Sequence, residues 1–64
     1  MRLSDFWERM RAHFGPASAD TFARDFVITD LGNRTVSDAL AHGMDAAEVW
    51  RVVCRVAEVP PRLR

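Results

Sequence analysis

The chain has 64 residues, 48% of them hydrophobic and 28% charged, a balance that excludes a disordered segment, which lacks the apolar surface to offset its ordering entropy. A chain this short buries only about 60% of the surface its unfolded form exposes, so it is expected to form one small domain with a single core. Nine Arg, with no Lys, balance nine acids for a net charge of zero, which excludes a global attraction to nucleic acid or anionic lipid.

A first helix is predicted over residues 5–14, with Ser4 as its N-cap accepting a bond from an otherwise unpaired backbone N–H. Leu3, Phe6, Trp7, Met10 and Phe14 recur at helical spacing and form one apolar stripe, and Asp5 with Arg9 makes an i,i+4 pair on the wet side. Gly15 and Pro16 stop this helix. Pro16 then suits the first turn of a second helix, predicted over residues 16–30, where a missing N–H costs nothing. Ala19, Phe22, Ala23, Phe26 and Val27 continue the core-facing stripe, while the β-branched run Val27, Ile28, Thr29 weakens the last turn before Gly32.

Thr35 followed by Asp38 resembles a capping box and places a third helix over residues 36–42, closed by Gly43 in a left-handed conformation. Asp45 and Glu48 occupy the N-cap and N3 positions of a fourth helix over residues 46–58, with Met44 and Val49 as its hydrophobic staple. Pro60 and Pro61 forbid continuation and push Val59 out of the helical region. The tail, residues 59–64 (VPPRLR), is expected to be extended; two outcomes are open for it, a frayed end or Leu63 folded back onto the bundle. The fold class is therefore all-α: one domain over residues 1–64, a compact bundle of about four short helices, with helices three and four arranged like a helix-turn-helix.

The fourth helix carries the functional question. At about 100 degrees per residue its apolar groups, Val49, Trp50, Val52, Val53, Val56 and the alanines and Cys54 among them, sweep an arc of about 220 degrees. So broad an arc belongs to a central helix or to one half of an interface, which makes Trp50, Val52 and Val56 the candidate interface residues. The remaining strip, Glu48, Arg51, Arg55 and Glu58, sets each Arg three residues from a Glu with which it can pair.

Ala39, Gly43, Val49 and Val52 satisfy the helix-turn-helix spacing, whereas Asp38 and His42 fall where that pattern wants apolar residues. The head of the would-be recognition helix, DAAEVWR, also presents Asp45 and Glu48 where phosphates and base edges would approach. Charge is unevenly spread, net minus three over residues 1–50 and net plus three over residues 51–64. Arg51, Arg55, Arg62 and Arg64 are thus the candidate contacts to nucleic-acid phosphate or to a partner, with Arg34 as an outlying addition.

No catalytic or metal-binding constellation is present. Cys54, inside VVCRV, lacks the exposed electropositive setting of a nucleophilic thiol and is expected to pack in the core. His13 and His42 each fall in the last turn before a glycine stop, where they suit helix capping. One Cys and two distant His match no zinc spacing, and Asp20, Asp25 and Asp30 are placed as a solvated face. No cofactor, metal or small-molecule ligand is predicted. A lone cysteine forms no internal disulfide, MRLSDFWERM has no apolar run of about seven residues, and nothing approaches a membrane span of about 18. A cytoplasmic setting is the expectation.

MRLSDFWERM, HFGPA, GNRTVSDAL, VWRVVC and the closing VPPRLR together resemble a small actinobacterial family of unknown function over nearly the whole chain. Members of that family are often encoded beside the recombinase RecA and its modulator RecX, so the resemblance implies a setting near recombination or repair. It brings no assigned site residues. The residues favour a non-enzymatic helical module acting through an unidentified protein partner or a homodimer; the alternative is a helix-turn-helix-like DNA binder holding phosphates through its C-terminal arginines.

Overall fold

The computed structural model describes residues 1–64 and builds them from four α-helices: α1 (Leu3–Phe14), α2 (Pro16–Asp25), α3 (Val36–Ala41) and α4 (Ala46–Val56). Two short 3-10 turns, Thr29–Leu31 and Pro61–Leu63, complete the chain, and there is no sheet. Helix α1 begins earlier than the capping signal suggests. Phe6 N–H already bonds to Arg2 C=O at 3.1 Å, so Arg2 is the N-cap and Ser4 lies exposed within the first turn. Asp5 accordingly pairs back to Arg2 at 3.6 Å rather than forward to Arg9.

Gly15 closes α1 and opens α2 with φ 87, ψ 155, a left-handed-side conformation that redirects the chain and is costly for a residue with a Cβ. Pro16 follows in the first turn of α2. That helix stops at Asp25, five residues short of the predicted Asp30. Phe26 to Thr29 are poor helix formers, and Ile28 instead takes an extended conformation in which its N–H reaches Arg34 C=O at 3.0 Å, a single antiparallel bridge across the Gly32–Asn33 turn. The gain is burial of Ile28 and Leu31 in the core. The consequence is that Phe26 and Val27, assigned to the core stripe by periodicity, are turned out to solvent.

The α3–α4 junction follows its local signals except that Asp45, at the N-cap of α4, makes no side-chain cap bond. Thr35 Oγ1 accepts Asp38 N–H at 3.1 Å. Gly43, at φ 90, carries a double closure in which its N–H bonds to Leu40 C=O at 3.0 Å and the N–H of Met44 to Ala39 C=O at 3.1 Å, the Schellman arrangement. Replacing Thr35 by Ala should therefore lower unfolding free energy by about 1 kcal/mol, read from a urea melt with unchanged slope.

The longer bond of that closure recurs alone at the end of α4, with Glu58 rather than glycine in the left-handed position at φ 52. Val59 N–H bonds to Cys54 C=O at 3.0 Å, and this turn drops the Val59 side chain into the core, fully buried. The tail is neither extended nor frayed. Pro61–Leu63 forms its 3-10 turn against α1, Leu63 packs on the core, Trp50 Nε1–H donates to Arg64 C=O at 3.4 Å, and Arg64 Nε–H donates to Val59 C=O at 2.8 Å.

One core unites these elements: Phe6 and Met10 of α1, Ala19 and Ala23 of α2, Ile28 and Leu31, Val36 and Ala39 of α3, Val49, Trp50, Val53 and Cys54 of α4, and Val59. Phe6 is its centre, meeting Trp7 and Trp50 edge-on at centroid distances of 5.2 and 6.0 Å.

Candidate interaction surface

The wide apolar arc of α4 is mostly consumed internally. Val49, Trp50, Val53 and Cys54 are buried, Val52 is half-buried, and only Val56 is exposed. Trp50 is 4% exposed, so it is not an interface residue; α1 and the folded-back tail cover the side of α4 that sequence periodicity left without a neighbour.

What remains uncovered is an apolar face that sequence periodicity did not anticipate. Phe26, Val27 and Val56, 48%, 59% and 37% exposed, line one shallow depression with Ile28, Thr29 and Asp30. Phe26 continues a stack of rings, 5.0 Å from Phe22, which in turn lies 4.5 Å from Phe14. The face is held from both sides of the domain, since Val56 comes from the last turn of α4 and the others from the extended segment after α2. Val27 also leaves its N–H and C=O without a partner in the chain, because the neighbouring Ile28 turns its own N–H inward to Arg34. Exposed β-branched residues on an extended edge are what soluble domains ordinarily cover or charge.

Beside this face lies the shortest ion pair of the molecule: Arg55 Nη2 to Asp30 Oδ2 at 2.6 Å, joining α4 to the Thr29–Leu31 turn across 25 residues. The expected Glu48–Arg51 and Arg55–Glu58 pairs do not form. Arg55 reaches across to Asp30, and Glu58 is carried off the helical register by its left-handed backbone. Both partners stay largely exposed, so the pair contributes little to folding, about 0.2–1 kcal/mol for such pairs in general.

The four candidate arginines fall in two clefts that share Arg64. Arg51, Arg55 and Arg64 line one shallow cleft with Trp50 and Cys54. Arg62 lines the other with Arg64 and with Asp5, Glu8 and Arg9 of α1, where acids offset the arginines. Arg34 is further away in role: its guanidinium folds back toward Leu31 C=O at 3.5 Å. Asp45 and Glu48 stand exposed at the head of α4, so a phosphate backbone approaching that helix as in helix-turn-helix docking meets two carboxylates.

Cys54 sits under the arginine cleft yet is buried. Burial pushes its thiol above the ordinary cysteine range, and Arg64 and then Arg9 draw it back only in part. A raised value keeps the thiol protonated and unreactive at neutral pH. Alkylation by iodoacetamide at mildly alkaline pH is therefore expected to be slower in the native protein than in urea, measured by mass spectrometry. By linkage, the folded state's raised value contributes stability that is present below the thiol's unfolded value and lost as pH rises through the folded one.

His42 Nδ1 lies 2.9 Å from Asp38 C=O, capping its own helix, and His13 packs edge-on against Phe14 at 4.6 Å. No three His, Cys, Asp or Glu side chains converge as a metal site, and no helix is long and apolar enough to cross a membrane.

Four short helices around one core, with a small apolar face and an arginine cleft joined to it by the Arg55–Asp30 pair, define a small all-α domain. A model of the family described as "Protein of unknown function (DUF3046)" matches residues 1–62, and the chain belongs to that family. No curated protein and no solved structure matches it.

Proposed function

We propose that this chain is a non-enzymatic helical module that acts by binding protein through the face of Phe26, Val27 and Val56. The supporting observation is the exposure of these three adjacent apolar side chains, contributed by two separate segments that the Asp30–Arg55 pair ties together. A scattered exposed valine needs no explanation, but a contiguous group on an extended edge does. The cytoplasmic setting in this reading is supported by a single buried thiol, which requires no oxidising compartment. A recombination or repair context rests on the family resemblance and its neighbourhood beside RecA and RecX.

A photoreactive residue placed at Val27 in the cell tests this reading. It is expected to give a discrete protein adduct that Phe26→Ser removes, with none from the same residue at exposed Ser18 on α2. Equal, diffuse labelling at both positions overturns it.

The second reading, phosphate binding by a helix-turn-helix-like domain, is favoured by the gathering of Arg51, Arg55 and Arg64 in one cleft. It is weakened by the acids at the head of α4 and by the engagement of Arg55 with Asp30. Affinity for duplex DNA would then fall steeply with salt, and Arg51→Glu with Arg55→Glu would abolish it. Absence of any gel retardation at low salt ends this reading.

A further inference from the structure

We infer that the occupant of the Phe26, Val27 and Val56 face is a second copy of this chain, docked about a two-fold axis that sets the Asp30–Arg55 pair of one copy antiparallel to that of the other. This rests on the reading of that face as an interaction surface, and names its partner.

Charge complementarity singles out the copy. The one charged side chain that lines the depression is Asp30, and Arg55 already holds it, so the pair is a neutral dipole whose two ends point opposite ways. A uniformly acidic or basic partner is attracted at one end and repelled at the other. A second copy related by a two-fold axis brings the same dipole reversed, so that Asp30 of each chain faces Arg55 of the other as well as its own. Isologous contacts have this self-matching property by construction. The net charge of zero removes the global repulsion that would hold two copies apart.

The backbone adds a second match. Once water is excluded from the face, the free N–H and C=O of Val27 need partners. A copy supplies one donor and one acceptor in the reversed order, as antiparallel neighbours do.

Size sets the strength. A standard interface takes about 800 Å² per chain, which is about a fifth of this molecule's 4021 Å² surface. A contact centred on three side chains falls below that, so the dimer is weak and populated only at high concentration.

Sedimentation equilibrium of the full chain from about 10 µM to about 1 mM tests this. The wild type is expected to show a concentration-dependent monomer–dimer equilibrium. Val27→Glu, Asp30→Arg and Arg55→Asp should each weaken it by at least about tenfold, all three sites being exposed and circular dichroism reporting whether the fold is kept. The decisive sample is an equimolar mixture of Asp30→Arg with Arg55→Asp, in which each variant supplies the charge the other lacks. Dimers should return in the mixture though neither component forms them. A wild type that stays monomeric throughout, a Val27→Glu protein that dimerises normally, or a mixture no heavier than its components overturns the inference. A crosslinked adduct at Val27 with a mass other than twice the chain's overturns it too while sparing the interaction reading, whereas no specific adduct removes that reading as well.

Discussion

Phe6→Ala is expected to remove cooperative folding, or to lower the thermal midpoint by at least about 12 °C, when followed by circular dichroism. Phe6 is fully buried and touches both tryptophan rings edge-on. Truncating a buried Phe to Ala generally costs about 3–5 kcal/mol, the lost transfer energy plus the cavity left behind. At roughly 0.05–0.15 kcal/mol per residue a domain of this size holds only about 3–10 kcal/mol in all. One side chain therefore carries much of the margin. Collapse of α1 onto α4 is opposed because the folded-back tail holds Trp50 through its Nε1–H. The contrast is Leu3→Ala, a member of the same helical stripe by spacing but 52% exposed, which should change stability by no more than about 0.5 kcal/mol. Equal effects of the two substitutions would contradict the packing described.

That contrast marks where the sequence was informative. The signals that hold act within one helical turn: the Thr35 cap, the left-handed Gly43, Pro16 in the first turn of α2, and the start of α4 at Ala46, whereas the Ser4 cap and the Asp5–Arg9 pair, equally local, do not form. Each depends on a donor, an acceptor or a backbone angle a few residues away, so a single sequence contains all of its partners. Signals that depend on a distant segment were not legible. Helix α2 ends early because Ile28 gains a bridge to Arg34, a pairing invisible to helical periodicity, and the same turn moves Phe26 and Val27 from the predicted core to the surface. Arg55 passes over its neighbour Glu58 for Asp30. Trp50 is lost as an interface residue because the tail closes over it.

The candidate surface was therefore half visible in advance. Val56 was marked by the breadth of the α4 arc, and Arg51, Arg55 and Arg64 by the basic end of the chain. Helical periodicity places Phe26 and Val27 in the core, although the run Val27, Ile28, Thr29 weakens that helix. An extended segment alternates its side chains between faces, which sets exposed Val27 opposite buried Ile28.

Removing residues 59–64 should have the second large effect, a loss on the order of 3 kcal/mol, together with a red shift of tryptophan fluorescence and faster alkylation of Cys54. The tail adds only one fully buried side chain, but Val59 belongs to the single core, and burying a valine contributes about 1.5–3 kcal/mol. Leu63 adds a partly buried contact on that core. The Trp50 Nε1–H loses its acceptor, the Arg64 C=O, and the cover over Trp50 and Cys54 goes with the tail. A frayed tail would predict no change in any of the three readings. Val59→Asp separates the buried side chain from mere chain length: it keeps all 64 residues yet places a carboxylate where no hydrogen-bonding partner waits, and should destabilise at least as much as the deletion. Arg62→Ala, an exposed position with no side-chain bond, should leave stability and Cys54 reactivity unchanged. If the deletion also left dimerisation through Val27 intact in the fraction still folded, the tail would be assigned to core closure alone, and the apolar face to association.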